Sequence, residues 1–271
     1  MIPNANDYKF VAKLGNLRTV VQLLKSVNFK ETATCFGTDN GLKITVEDAK
    51  CMQASAYIPV DVFQEFKLKE EVIFRINLNV LVECLCMFWS DINSQSSSVA
   101  AQLFYKGTGH PVTMLIEENG IITDCSLKTQ ELGELLDFHL DAEDVLNKIV
   151  LQTDLLKDVL AELDGTSEFI ELLLSPEAPY FRISTDGIAG ECRIELPRDS
   201  DLVESFECNT TANSCYKLAH IKPAMKALYC ANKVSMRTDD CGLLCFQYMV
   251  KTDAGQTCYV EYYISPVIDV E

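Results

Sequence analysis

A chain of 271 residues, 48% apolar and 23% charged, carries enough hydrophobic material for one large or two ordinary globular domains. Its net charge of −17 repels nucleic acid as a whole, so any contact with DNA has to be local, screened or completed by a partner. The lack of an apolar run of about 18 residues excludes a membrane-spanning helix. The opening "MIPNANDYKF" lacks the basic-then-apolar order of a signal peptide, as expected of a soluble chain that is not exported.

In chain order, 8–14, "YKFVAKL", reads as an apolar strand. In 15–27, "GNLRTVVQLLKSV", Leu17, Val20, Val21 and Leu24 recur at helical spacing behind Asn16 as N-cap. The stretch 34–51, "TCFGTDNGLKITVEDAKC", could be a cation loop, but counting from Asp39 puts Gly41, Lys43 and Lys50 where an EF-hand needs oxygen ligands. By period it is a hairpin, with Phe36, Leu42, Ile44 and Val46 alternating with polar neighbours around a tight Asn40-Gly41 turn. The strand "KCMQASAYIP", the segment "VFQEFKL" and the strand "EVIFRIN" lead to a second helix, "LNVLVECLCMF". There Leu78, Leu81, Val82 and Leu85 share one face and Asn77 is the cap. After the Ser-rich loop "SDINSQSSS" come three more strands, "VAAQLFYKG", "PVTMLIEENG" and "IITDCSLKT".

The same order returns about 137 residues later. The strand "NKIVLQT" precedes the helix "DLLKDVLAEL", whose Leu155, Leu156, Val159, Leu160 and Leu163 form an apolar stripe. The strands "EFIELLLS", "PYFRISTDG", "GECRIELP" and "LVESFEC" follow, then the helix "IKPAMKALYC" and the strands "VSMRTDD", "GLLCFQYMVKT" and "GQTCYVEYYIS". Within this half, "ISTDGIAGEC" answers the first hairpin. A repeat of this length is a duplicated domain, so the expected class is α+β: two tandem pseudo-repeated domains, each with two helices packed on antiparallel sheets. The expected boundaries are 1–129 for the first domain, 130–144 for an acidic connector and 145–271 for the second domain. Asp137, His139, Asp141, Glu143 and Asp144 of the connector read as solvated charge and not as metal ligands.

Twelve cysteines in a short secreted domain would mean disulfides, but here Cys35, Cys51, Cys125, Cys230 and Cys258 are scattered through apolar segments, as buried thiols are. Neither Cys84 with Cys86 nor Cys241 with Cys245 has the two-residue spacer of a zinc knuckle or redox pair, and the histidines are only His110, His139 and His220. No metal and no cofactor is expected. Asn209-Thr210-Thr211 matches a glycosylation acceptor but reads as a bare turn.

Seven blocks go further than the fold: "FKETATCFGTDNGLKITVEDAKCMQASAYIP", "VFQEFKL", "VIFRINLNVL", "PYFRISTDG", "PRDSDLVESFEC", "KVSMRT" and "VEYYISP". Over nearly the whole chain they resemble the Rad-one family of subunits of the nine-one-one DNA-damage checkpoint clamp, relatives of proliferating cell nuclear antigen. The resemblance implies the sliding-clamp fold and a non-catalytic nuclear subunit. Two sister subunits would complete a heterotrimeric ring, placed around double-stranded DNA by a clamp loader. The ring would support checkpoint kinase activation and recruit repair and checkpoint proteins through hydrophobic peptides, with no role for a membrane.

It also implies where the working surfaces lie. Helices would line the hole, with Arg18 and Lys25 on the first, Lys157 on the third and Lys222 with Lys226 on the last facing DNA. The second helix offers no cation, and Lys157 is flanked by Asp154, Asp158 and Glu162, a thin basic lining. Ring closure would pair one edge, 121–128, with a neighbour's 191–196. The first edge presents Ile121, Ile122, Thr123, Cys125 and Leu127, the second Glu191, Cys192, Arg193, Ile194 and Leu196. A peptide groove would be built from the connector residues Leu135, Leu136, Phe138 and Leu140 and from Val250, Tyr263 and Pro266 near the chain end.

The alternatives are a 3′ to 5′ exonuclease, an activity attributed to members of this family, and a protein adaptor that never touches DNA. Two-metal hydrolysis needs several carboxylates converging on paired ions. Glu47-Asp48, Glu117-Glu118 and Asp239-Asp240 read as hairpin-end charge, and the sequence carries no exonuclease motif, phosphate loop or nucleophile elbow.

Overall fold

The structure is a computed structural model and describes residues 7–87, 99–163, 165–188 and 190–267; the Ser-rich loop expected at 90–98 lies outside the described residues. The chain divides into two compact units. The first gathers residues up to Glu47 with Ser55–Leu135 and Lys251–Tyr259; the second gathers Asp48–Ala54, Leu136–Val250 and the chain from Val260.

The first half of the chain runs β1 (Phe10–Leu14), α1 (Arg18–Val27), β2 (Thr32–Thr38), β3 (Gly41–Asp48), β4 (Met52–Pro59), a 3-10 turn (Val60–Val62), β5 (Glu65–Leu68), β6 (Val72–Asn77), α2 (Leu78–Cys86), β7 (Ala100–Tyr105), β8 (Val112–Glu118) and β9 (Ile121–Leu127). Its strands are hydrogen-bonded in the orders β5-β1-β7-β8-β9 and β4-β3-β2-β6. Helix α1 buries Val20, Val21, Leu23, Leu24 and Val27, and packs beside α2, which buries Leu78, Leu81, Val82 and Leu85. Each such side chain contributes about 1.5–3 kcal/mol through burial, enough for two short helices that would not persist alone. Asn77 caps α2, its side-chain oxygen accepting from the Val80 amide at 3.1 Å. At α1 the Asn16 oxygen accepts from the Arg18 amide at 2.8 Å, while the cap position itself is Leu17, which is buried.

The second half of the chain repeats the helix and strand order of the first: β10 (Asn147–Gln152), α3 (Thr153–Ala161), β11 (Phe169–Leu174), β12 (Phe181–Gly187), β13 (Gly190–Leu196), β14 (Val203–Cys208), β15 (Ala212–Lys217), α4 (Leu218–Ala224), β16 (Lys233–Thr238), β17 (Leu244–Lys251) and β18 (Thr257–Ile264). The orders β14-β10-β16-β17-β18 and β13-β12-β11-β15 copy those of the first half.

Several local expectations need correction. The apolar run at 221–230 is not one helix: α4 starts at Leu218, contains Pro223, and passes into a 3-10 segment, Met225–Tyr229. Proline has no amide to give and crowds the preceding turn, so the α-helical ladder stops there. Strand β15, "ANSCYK", lacks a clear alternation because its one large buried side chain is Tyr216; that hydroxyl donates to the Gly242 carbonyl at 2.7 Å. In the first hairpin Thr38 pairs with Gly41, so the two turn residues are Asp39 and Asn40. That pairing sets even-numbered positions of β2 opposite odd-numbered positions of β3. Cys35 therefore shares the buried face with Ile44, and Phe36 lies across from Lys43 on the other face. Burial pushes the Cys35 thiol up to about 12. By strand order, "ISTDGIAGEC" corresponds to the turn between β3 and β4 and not to the turn between β2 and β3.

Candidate partner edges and nucleic-acid surface

Strand β9 closes one end of its sheet, hydrogen-bonded to β8 alone among the described strands. A strand in that position presents a row of backbone amides and carbonyls that only solvent or another strand can satisfy. Ile121 and Ile122 are 62% and 59% exposed, Thr123 and Cys125 are half-buried, and Leu127 turns into the core. Burial, and then the Cys84 thiol with which it shares a hydrogen bond, push the Cys125 thiol up to about 11. Strand β13 closes the four-stranded order of the second unit in the same way, bonded to β12 alone. Glu191 and Arg193 are exposed on it and ion-paired with each other, while Cys192, Ile194 and Leu196 are half-buried.

The positional counterparts of these strands are different. β18 holds the place of β9, and β4 the place of β13, in the matching strand orders. Both are largely buried within the chain: Met52, Ala54, Ala56 and Ile58 of β4 and Cys258, Val260, Tyr262 and Ile264 of β18. In the full strand orders β18 and β4 each have a strand on both sides, whereas β9 and β13 have one on one side only.

On the helices, Arg18 opens α1 and is exposed, and Lys25 lies in its last turn, half-buried. Lys222 and Lys226 are exposed, and Lys222 donates to the Gly165 carbonyl at 3.3 Å. Lys157 of α3 is ion-paired with Asp154 at 2.8 Å, and its ammonium lies 5.8 Å from the centre of the Tyr229 ring.

Of the groove residues, the structure brings three together. Leu140 and Tyr263 share a buried cluster with Cys245, and Phe138 stacks on Tyr263 with ring centres 6.4 Å apart. Leu136 is half-buried and its carbonyl accepts from Gln53 at 2.7 Å; Pro266 is half-buried after β18. Leu135 is exposed on the first unit. Val250 is a correction: at 1% exposure it points into the core from β17, because alternation puts Lys251 outward in its place, and it offers no surface to a peptide.

One carboxylate cluster with metal-like spacing is present among the described residues, Asp239, Asp240 and Cys241, and two of its three members are exposed. Asp239 already accepts the Leu243 amide at 2.7 Å, as a turn residue does.

A family model described as "Repair protein Rad1/Rec1/Rad17" matches residues 9–250. The chain belongs to the Rad1/Rec1/Rad17 repair-protein family. It is 47% identical over 262 residues to the "Cell cycle checkpoint protein RAD1" of Homo sapiens, covering 96% of this chain and 93% of that one. Similarity to the "DNA repair exonuclease REC1" of Mycosarcoma maydis is lower, 24% over 196 residues, with 59% of this chain and 42% of that protein covered. Among solved structures, a chain of the PCNA2-PCNA3 complex from Sulfolobus tokodaii matches with a TM-score of 0.77 at 17% identity, over 94% of this chain and 98% of that chain. The fold is that of the sliding clamps, and the chain is a checkpoint clamp subunit by family.

For this Rad1-family chain the sequence left two surfaces unmarked. The misplaced face of the first hairpin carries one of them: Phe36 and Tyr57 flank Lys43, whose ammonium is 5.6 and 5.3 Å from their ring centres, beside an open hollow of about 310 Å³ floored by Ile58 and Pro59. The antiparallel register is the signal that would have found it. The other is Tyr229, the last residue of the 3-10 segment, 82% exposed at the end of the apolar run 221–230.

Proposed function

We propose that this clamp subunit completes a heterotrimeric ring with two sister subunits, is placed on double-stranded DNA by a clamp loader, and acts in the nucleus. There it supports checkpoint kinase activation and docks repair and checkpoint proteins. The observation that carries this reading is the pair of open ends: β9 and β13 are exposed where their counterparts β18 and β4 are buried. Each open strand is a template for one more strand from another chain. The two ends do not suit each other. β9 turns out Ile121, Ile122 and Asp124, and β13 turns out Glu191, Arg193 and Glu195, so a second copy would set a mostly apolar edge against a charged one. Different neighbours at each edge are therefore favoured over a homotrimer.

Arg18, Lys25, Lys157, Lys222 and Lys226 supply the local positive charge for DNA, and the net charge of −17 makes that contact weak and sensitive to salt. Phe138, Tyr263 and the connector support the peptide-docking role. A catalytic role finds little support, since the one metal-like cluster among the described residues is built from a hairpin turn. Sedimentation velocity tests the ring: the chain alone is expected as a monomer, and with its two sister subunits as a 1:1:1 complex. A stable homotrimer would overturn the proposal. Charge reversal at Arg18, Lys25, Lys222 and Lys226 should shorten retention of the assembled ring on DNA; unchanged retention would leave a protein adaptor as the better reading.

A further inference from the structure

We infer that Tyr229 is a stacking contact for single-stranded nucleic acid on the helix surface of the second unit, an assignment that rests on the DNA-binding reading above. Buried neighbours fix how the ring is presented. In the segment Met225–Tyr229, Ala227 and Leu228 are buried while Lys226 and Tyr229 are exposed. Positions three apart eclipse one another in a 3-10 helix, so Lys226 and Tyr229 share one outward face. From the other side α3 packs against this segment and brings the Lys157 ammonium to 5.8 Å from the ring centre. Lys222, one turn before Lys226, is exposed on α4. An aromatic ring that leaves 82% of its surface in water gains nothing for folding from that exposure. An exposed ring with Lys157 beside it and Lys226 on the same outward face matches a ligand with flat apolar faces strung on a negatively charged backbone, which is the chemistry of unpaired bases on a sugar-phosphate chain.

The local charge is poor, because Asp154 pairs with Lys157 and Asp158 is exposed beside it. Electrostatics alone would give this surface little hold on DNA, and stacking adds a contribution that salt does not screen. Paired bases inside a duplex offer no such face, so the contact selects single strands.

The test is fluorescence anisotropy of a labelled oligo-dT strand and of a duplex of equal length, titrated at low salt with the full chain and three variants, Tyr229→Ala, Tyr229→Phe and the double variant Lys222→Glu/Lys226→Glu. Tyr229→Ala should weaken single-strand binding by roughly tenfold while the duplex affinity and the slope of affinity against salt stay as in the parent. Tyr229→Phe should bind within about twofold of the parent, since the ring and not the hydroxyl stacks. The lysine variant should lose affinity for both ligands and flatten the salt slope. If Tyr229→Ala binds like the parent while the lysine variant does not, the stacking assignment is wrong and the DNA reading stands. Should neither variant differ from the parent, or should the parent bind neither ligand, the stacking assignment fails, and the DNA reading is decided by the retention of the assembled ring. Equal losses of single-strand and duplex affinity in Tyr229→Ala would also overturn the assignment.

Discussion

Strands β9 and β18 hold matching places in the repeated five-strand order, and β13 and β4 in the repeated four-strand order, yet one member of each pair is exposed and the other buried. The difference lies first in their neighbours, since β18 and β4 each have a strand on both sides while β9 and β13 have one on one side only, and the side chains follow suit. β4 and β18 are filled with residues made for an interior, such as Ile58, Val260 and Tyr262, while β9 and β13 carry Asp124, Glu191, Arg193 and Glu195 along their outward faces. A duplicated fold has thus kept two ends satisfied inside the chain and two ends free for other chains, with charge on the free ends limiting what pairs with them.

The largest consequence is for stability. Ile58→Ala in β4 removes a buried side chain and should cost 2–5 kcal/mol, against less than about 1 kcal/mol for Ile194→Ala in half-buried β13, both read from urea unfolding midpoints. Equal losses would mean that β13 is as well covered as β4. Glycine substitutions sharpen the same contrast. Gly41, at φ +131°, would set a new Cβ 2.2 Å from the Ile58 carbonyl, so Gly41→Ala should cost roughly 3 kcal/mol from backbone strain and overpacking together. Gly190, at φ +119° in open space at the start of β13, should cost only about 1 kcal/mol when changed to alanine, because strain acts there without a clash.

The helix ends differ more modestly. α2 is capped by Asn77, whereas the residue before α4, Lys217, makes no side-chain cap. Asn77→Ala should lower stability by about 1 kcal/mol, and Lys217→Asn should raise it by a similar or smaller amount. The smallest effect concerns pH. His220 of α4 lies 3.6 Å from the Cys51 thiol, and burial first, then Lys217, hold its pKa below the usual 6.5, with Asp48 opposing. A histidine with a lowered folded pKa binds its proton more readily when unfolded. Its contribution is therefore complete above pH 6.5 and is lost as pH falls through that value toward the lower folded one. Thermal melts should show a shallower acid-side loss for His220→Gln than for the parent.

The sheet and helix order could be read from the chain wherever a period was long and clean, as in α1 with Val20, Val21 and Leu24 and in α3 with Leu156 and Val159. It failed where tertiary pairing decides. Phe36 changed faces because a two-residue turn reverses parity, β15 has only Tyr216 to reveal it, and Pro223 splits what looked like a single helix. The candidate site was less legible. β9 and β13 alternate like any half-buried strand, and nothing in their composition says that one side lacks a neighbour. Val250 and Tyr229 sit in apolar runs of similar appearance, and the fold buries the first and exposes the second.

Amide hydrogen exchange at 121–127 and 190–196, compared between the chain alone and the chain with its two sister subunits, tests the open-edge account most directly. The outward-facing amides of both strands should exchange rapidly in the isolated chain, unlike those of β4 and β18, and become protected only on assembly. Edges already protected in the isolated chain, or edges unchanged in the presence of the sister subunits, would contradict it.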